Sequence, residues 1–281
     1  TQIQTAFSGL ERAFELIDQP EETPDEPNAY ALNPATIKGE VAFNHVSFSY
    51  EPSQRLIENF SFVAKPGQTI AIVGKTGAGK STLVNLLMRF YDATGGTITI
   101  DGYDIRDIQR DSLRKSFGMV LQDTWLFDST LKENLQYGNP DASDEEINQA
   151  LKASYMYEFV ERLPEKLATK IGGQGLKISD GQRQLLTIAR TMISNPPMLI
   201  LDEATSSVDT LTEKKIQDAF LTMMEGKTSF VIAHRLSTIK NADQILVMEQ
   251  GAIVEMGTHD ELLQKDGYYH QLYQAQFTKN S

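Results

Sequence analysis

The stretch Thr69-Ile70-Ala71-Ile72-Val73-Gly74-Lys75-Thr76-Gly77-Ala78-Gly79-Lys80-Ser81 decides the fold of this chain. Thr69 to Val73 is an apolar run with no alternating polar face, the pattern of a strand buried on both sides in a parallel sheet. The glycines after it let successive backbone N–H groups turn inward on phosphates, and a helix beginning near Lys80 adds the positive end of its dipole. Strand, loop and helix in that order are the context a phosphate-cradling loop requires. In such a loop Lys80 is expected to contact the β- and γ-phosphates of a nucleotide, and the Ser81 hydroxyl to ligate Mg²⁺. The bland alternative is a glycine turn ahead of an ordinary helix.

A second stretch, Ile178 to Asp209, lowers the weight of that alternative. It holds a helix start, Ile178-Ser179-Asp180-Gly181-Gln182, and an apolar strand, Met198-Leu199-Ile200-Leu201, that ends in Asp202-Glu203. A carboxylate at the strand end, Asp202, can hold magnesium through water, and Glu203 is a candidate general base for an attacking water. Two adjacent carboxylates can also be a solvated turn, but here they accompany the loop. His234 closes the strand Phe230-Val231-Ile232-Ala233, another strand C-terminus, where ligands of open α/β sheets collect. His45, His259 and His270 are read as structural.

Outward from these stretches, the 281 residues suffice for one large domain or two small ones, and 40% apolar content is ordinary for a globular protein. A formal charge of -12 argues against nucleic acid as a partner, which calls for clustered lysine and arginine. With no cysteine, disulfides, thiolate metal sites and cysteine nucleophiles are excluded. No apolar run approaches the roughly 18 residues of a membrane helix, so the polypeptide is expected to be soluble.

Ile3, Phe7, Leu10, Phe14 and Ile17 fall at helical spacing, predicting a short amphipathic helix. The acidic, proline-rich Gln19-Pro20-Glu21-Glu22-Thr23-Pro24-Asp25-Glu26-Pro27 can neither continue it nor pack as a strand, and reads as a linker. Strands are predicted over Val41 to Phe43, Val46 to Tyr50, Thr97 to Ile100 (after Gly95-Gly96), Thr228 to Ala233 and Gln244 to Glu249. Helices are predicted over Gln182 to Ile193 and Leu211 to Met224. Ser143 to about Leu163 opens with the capping pair Ser143 and Glu146 and predicts a helical insert. The alternation gives an α/β parallel core.

Tyr50, Gly74 to Ser81, Gln122, Ile178 to Gln182, Leu199 to Glu203, Ser206 to Asp209 and His234 stand in the order and spacing of the nucleotide-binding domain of ABC transporters, which the chain resembles from about Ile37 to Tyr273. Gln122-Asp123-Thr124-Trp125-Leu126-Phe127 and Gly257-Thr258-His259-Asp260-Glu261-Leu262 look like the exporter branch. The resemblance implies an α/β P-loop NTPase (RecA-like) core with a mostly parallel sheet, an antiparallel β subdomain, and a helical subdomain inserted at about 123–190. Residues 1–18 would be the end of a helix from a membrane domain missing here, 19–36 a linker, and 37–281 the ATPase domain.

Roles follow from the same resemblance. ATP and Mg²⁺ are the implied ligands. Tyr50 would stack on adenine; Gly74, Lys75, Thr76, Gly77, Ala78, Gly79, Lys80, Ser81 and Thr82 would bind the nucleotide. Ser81, Gln122 and Asp202 would approach magnesium, Glu203 would polarise the water, and His234 would contact the γ-phosphate. Ser179, Asp180, Gly181, Gln182 and Asp209 would face a second ATPase domain, closed head to tail so that each ATP is sandwiched between the loop of one and the signature of the other. Such a protein works at the cytoplasmic face of the cell (inner) membrane.

The sequence departs from the family in two places. Leu-Ser-Gly-Gly-Gln is expected where Ile178-Ser179-Asp180-Gly181-Gln182 stands. At about 5 Å and an effective dielectric near 20, the Asp180 carboxylate and a γ-phosphate charge repel by roughly 3 kcal/mol. Aspartate is also a good residue in a helix's first turn. Ile171-Gly172-Gly173-Gln174-Gly175 lacks the acidic residue that exporters carry there. With its own Lys80, Gln122, Asp202, Glu203 and His234 in place, the chain is expected to pair with a different sister chain, in a heterodimer with one degenerate site. The alternatives are a non-transport ABC ATPase, which would need a coiled-coil insertion or a basic surface, and an ATP-gated regulatory module, which would be expected to have lost Glu203 or His234.

Overall fold

The computed structural model of the protein describes residues 2–19, 21–51, 53, 56–173, 175–203, 208–233 and 235–275. Its main sheet has six strands, in the spatial order Ala252–Gly257, Gln244–Glu249, Thr69–Val73, Thr228–Ile232, Met198–Asp202 and Phe117–Val120. The last five run parallel, and Ala252–Gly257 pairs antiparallel at one edge. Parallel neighbours point their C-terminal ends the same way, so the turns after Val73, Val120, Asp202 and Ile232 share one rim, where open α/β sheets bind ligands.

The period of two in a strand explains why these runs are apolar throughout. Ala71, Val73, Val120, Leu199, Leu201, Val231 and Val247 enter one core with the helices Asp180–Ser194 and Thr210–Met224. Ile70, Ile72, Met198, Ile200, Phe230, Ile232, Leu246 and Met248 enter a second core beneath the antiparallel sheet. Each face buries apolar side chains worth roughly 1.5–3 kcal/mol apiece. That antiparallel sheet has four strands, ordered Ile57–Ala64, Val41–Phe48, Gly95–Ile100 and Tyr103–Asp104.

The two segments expected over Val41 to Phe43 and Val46 to Tyr50 are one strand, Val41–Phe48, with a register shift between Phe43 and Val46 where His45 adopts φ 49°. Tyr50 lies beyond its end. The kink, a bulge, interrupts the alternation and made one strand read as two. Ile57–Ala64, Phe117–Val120 and Ala252–Gly257 were not anticipated as strands. The strand expected from Thr97 to Ile100 forms and takes in the preceding Gly95-Gly96, as Gly95–Ile100, and the helices near Gln182 and Leu211 form as Asp180–Ser194 and Thr210–Met224.

The helical segment expected over Ser143 to about Leu163 forms as Asp144–Ala153 and Tyr157–Glu161 with the Ser143 and Glu146 capping box present, and a further helix, Leu131–Gln136, precedes it unanticipated. Helix Gln2–Ile17 leaves Phe7, Leu10, Phe14, Leu16 and Ile17 exposed. Among the described residues no helix is long and apolar enough to cross a membrane. The segment that follows the acidic stretch, within the 19–36 read as a linker, is held against the antiparallel sheet: Tyr30 stacks on Tyr103 at 4.5 Å between ring centroids, and Leu32 is buried.

Candidate functional site

Gly74 leaves the strand Thr69–Val73 with φ 155°, and a β-carbon there would overlap the carbonyl oxygen of Met248. Gly79 takes the left-handed φ of 97° immediately before helix Lys80–Leu87. Both conformations disfavour a side chain, so the loop needs glycine at these positions. Between them the chain turns tightly enough that Ala78 N–H bonds the Lys75 carbonyl at 3.1 Å.

Lys80 folds back over this loop, donating from Nζ to the carbonyls of Gly74 at 2.7 Å and Lys75 at 3.1 Å. Burial pulls its ammonium below the ordinary lysine range, an effect that the Asp202 carboxylate partly offsets. A cavity of about 350 Å³ is lined by Thr76, Gly77, Gly79, Lys80, Ser81, Thr82, Gln122 and Asp202, with Leu56 and Ile232 as its apolar wall. Polar residues from three separate stretches of sequence therefore meet in one pocket at the rim of the sheet.

One carboxylate, one hydroxyl and one amide oxygen make a sparse, all-oxygen donor set. That set suits a small hard cation such as Mg²⁺, which keeps waters and takes substrate phosphates as ligands. Among the described residues no cluster of three or more His, Cys, Asp or Glu forms a protein cage for a metal. Asp202, Ser81 and Gln122 are the residues that could hold the ion. When bound, it would neutralise charge on phosphate oxygens.

Glu203 follows Asp202 at the end of its strand and is only 3% exposed. Its carboxylate accepts from the backbone N–H of Arg235 at 3.1 Å and from the Thr238 hydroxyl. These two partners, on the segment after strand Thr228–Ile232, were not anticipated from the sequence; neither residue type carries a signal, and only strand order makes them neighbours. Arg235 in turn lies 3.6 Å from Glu213 on helix Thr210–Met224. His234 and Ser206 lie outside the described residues.

Tyr50 stands away from the cavity lining, half exposed, with its hydroxyl accepting from Asn85 at 3.0 Å. Edge contacts with Phe48 at 4.9 Å and Tyr91 at 4.9 Å fix its ring. The histidines read as structural have local partners: His45 meets Asn59, His259 meets Tyr269, and His270 meets the Leu263 carbonyl.

Ser179 caps helix Asp180–Ser194 reciprocally with Gln182, as a capping box. Gly181 packs against the next helix so closely that a β-carbon would lie 2.5 Å from Thr212 Cγ2. Asp180 points outward, its side chain 75% exposed and 3.3 Å from Arg183. Asp209 caps helix Thr210–Met224 through the Thr212 N–H, a bond that pulls its carboxyl below the usual range. Gly172 and Gly173 both have positive φ and lie against Asp128, so an acidic side chain borders the loop that lacks one in its own sequence.

Residues 57–206 match the family described as ABC transporter. The chain is 52% identical over 273 residues to a fatty acid ABC transporter ATP-binding/permease protein of Mycobacterium bovis, covering 97% of this chain and 43% of that protein. It is 45% identical to an ATP-dependent lipid A-core flippase of Desulfotalea psychrophila, covering 98% of this chain and 47% of the relative. Among solved structures, a bacterial Atm1-family ABC exporter with ATP bound superposes with a TM-score of 0.85 at 41% identity, over 98% of this chain and 48% of the other. The chain thus spans less than half the length of these relatives. A match that runs through the phosphate loop, Gln122, the Ser179 helix start and the Asp202-Glu203 pair leaves one assignment: the chain belongs to the ABC transporter family, as its ATP-binding, ATP-hydrolysing domain.

Proposed function

We propose that the chain powers export across a membrane: closed head to tail on a second ATPase domain, it binds Mg-ATP and hydrolyses it to move a membrane domain of the same protein. The observation that carries this reading is one cavity lined by Lys80, Ser81, Gln122 and Asp202, the last of them followed in the chain by Glu203. Lys80 and the loop amides hold phosphates, Ser81, Gln122 and Asp202 surround the Mg²⁺, Glu203 polarises the attacking water, His234 contacts the γ-phosphate, and Tyr50 supports the adenine. Residues 37–281 act as the ATPase domain, 1–18 as the end of a membrane helix, and 19–36 as the link between them. The relatives named as ATP-binding/permease proteins support that layout, and with it a place at the cytoplasmic face of the cell membrane.

For the partner, the reading taken from Asp180 is a sister chain with an intact signature, in a heterodimer with one degenerate site. A second reading, a symmetric homodimer, is favoured by the 3.3 Å approach of Arg183 to Asp180, which places a compensating cation beside the added charge. ATPase activity separates the two. Activity that appears only on mixing with a domain carrying an intact signature, and that Glu203→Gln abolishes, supports the heterodimer. Equal activity of the chain alone, with dimerisation, overturns it in favour of the homodimer. Absence of ATP turnover in every mixture would sink the ATPase-driven reading itself.

A further inference from the structure

The helix Lys80–Leu87 presents phosphate-facing residues at its first turn, and its far end is closed by an arginine where glycine is usual. Phe90 N–H bonds the Asn85 carbonyl at 2.9 Å and Arg89 N–H bonds the Leu86 carbonyl at 3.0 Å, the pattern of a left-handed C-terminal cap. Arg89 occupies the left-handed position with φ 51°, where any β-carbon is strained. What it brings is a buried guanidinium. Its Nε lies 2.9 Å from Asp92, its Nη1 donates to the carbonyls of Ile105 at 3.2 Å and Ile108 at 3.3 Å, and Asp25 is 3.7 Å away.

Arg114 reaches the same helix end, donating from Nε to the Met88 carbonyl at 3.3 Å and from Nη2 to the Arg89 carbonyl at 3.0 Å. Carbonyls at a helix C-terminus lack intrahelical partners, so these bonds close it. Arg110, 8% exposed, lies alongside, 3.8 Å from Asp92.

The remaining counter-charges come from upstream. Glu22 meets Arg114 at 2.5 Å and Arg110 at 3.3 Å, and Asp25 meets Arg110 at 3.0 Å. Asp25 also accepts from the Arg110 backbone N–H at 2.9 Å, and the Thr23 carbonyl and hydroxyl accept from the Arg110 guanidinium. Among the described residues, Asp92 is the carboxylate inside the domain that pairs with Arg89 and Arg110. Without Glu22 and Asp25 the buried cations would outnumber their partners, and an uncompensated buried charge is strongly unfavourable.

We infer that Glu22 and Asp25 are positioning residues for ATP binding: they fix the rear of the helix whose front carries Lys80 and Ser81, and so couple the chain ahead of Glu22 to the phosphate loop. The two ends are about 12 Å apart at 1.5 Å per helical residue, a span a short rigid helix transmits without bending. The coupling is reciprocal: a pull on helix Gln2–Ile17 that strains the arginine cluster changes ATP affinity, and ATP binding changes how tightly the segment docks. The inference rests on the reading of this site as an ATP site.

The test uses the whole 281-residue chain, with Glu22→Gln/Asp25→Asn, the conservative pair Glu22→Asp/Asp25→Glu, and Asp25→Asn alone in case the double variant does not fold. ATP affinity in the presence of Mg²⁺ and amide exchange over the helix and its cap are measured, with thermal unfolding as the control. The expected result is a loss of ATP affinity of about fivefold or more with faster exchange at the helix end, partly recovered by the conservative pair. A lowered unfolding temperature with unchanged affinity and exchange would reduce the cluster to a structural tie and overturn the inference. Failure of the unmodified chain to bind ATP would instead remove the ATP reading on which it rests.

Discussion

The carboxylate of Glu203 accepts a 3.1 Å hydrogen bond from the backbone N–H of Arg235. With the Thr238 hydroxyl as a further donor, the candidate base is tethered to the segment that follows the neighbouring strand. Glu203→Gln keeps one oxygen for the Arg235 N–H and turns its NH₂ group toward the Thr238 hydroxyl, which can accept in place of donating, so the tether survives as neutral hydrogen bonds. Exchanging charge-assisted for neutral hydrogen bonds costs about 1 kcal/mol of stability. The effect on turnover is larger, because removing a positioned general base typically costs 10² to 10⁴-fold. Steady-state ATPase rates should fall by about 100-fold or more, with ATP affinity nearly unchanged; a variant retaining a tenth of the activity would remove Glu203 from the base role.

The signature separates two neighbouring positions that the sequence presents together. Gly181→Ala pushes a β-carbon to 2.5 Å from Thr212 Cγ2 and 3.1 Å from Val208 Cγ1. Overpacking of that kind costs about 1–3 kcal/mol, so the unfolding temperature should drop. Asp180→Gly touches no packed neighbour and forfeits only a first-turn charge and an exposed pair with Arg183, together about 1 kcal/mol or less. If Asp180 impairs closure, Asp180→Gly should raise the ATPase activity of the chain alone despite that small loss. Unchanged activity would show that Arg183 suffices to mask the carboxylate.

Acid should undo the docking of the upstream segment. The Arg114 hydrogen bond, then its charge and that of Arg110, hold the Glu22 carboxyl below the usual carboxylate range. A carboxylate whose folded pKa is depressed stabilises the fold above its unfolded pKa and loses that contribution as pH falls through the depressed value. Thermal unfolding of the wild-type chain and Glu22→Gln should therefore differ at neutral pH and converge on acidification below about pH 4. Glu22 is half exposed, so added salt should shrink the difference as well. A difference that stays constant with pH would show that Glu22 acts through packing alone.

How much of this was legible in the sequence depended on whether a feature is local. Thr69–Val73 was readable because both of its faces are buried, and the loop after it because its glycines have a local conformational cause. Ser143 with Glu146 was readable because a capping box spans a single turn. Phe117–Val120 was not: Gly118 weakens its strand pattern, and it is a strand because it pairs with the distant Met198–Asp202. The Arg89, Arg110 and Arg114 cluster stayed hidden for the same reason. Its acidic partners lie far upstream in a stretch whose prolines and charges read only as a linker.

Tyr50 offers a prediction in which hydroxyl and ring can be told apart. The ring makes edge contacts with Phe48 and Tyr91, while the hydroxyl accepts from Asn85 on helix Lys80–Leu87. Tyr50 is half exposed, and a base stacked on an aromatic ring is worth about 1–3 kcal/mol by alanine substitution. Tyr50→Ala should therefore weaken ATP binding by roughly 5- to 100-fold. Tyr50→Phe keeps the platform and loses one exposed hydrogen bond, so its affinity should remain within about threefold of wild type. GTP should bind with an affinity close to that of ATP, since stacking reads a π-face and not the identity of the base. Equal losses in Tyr50→Phe and Tyr50→Ala would transfer the effect from the ring to the hydroxyl, and so to the tie with Asn85 and the helix that carries Lys80.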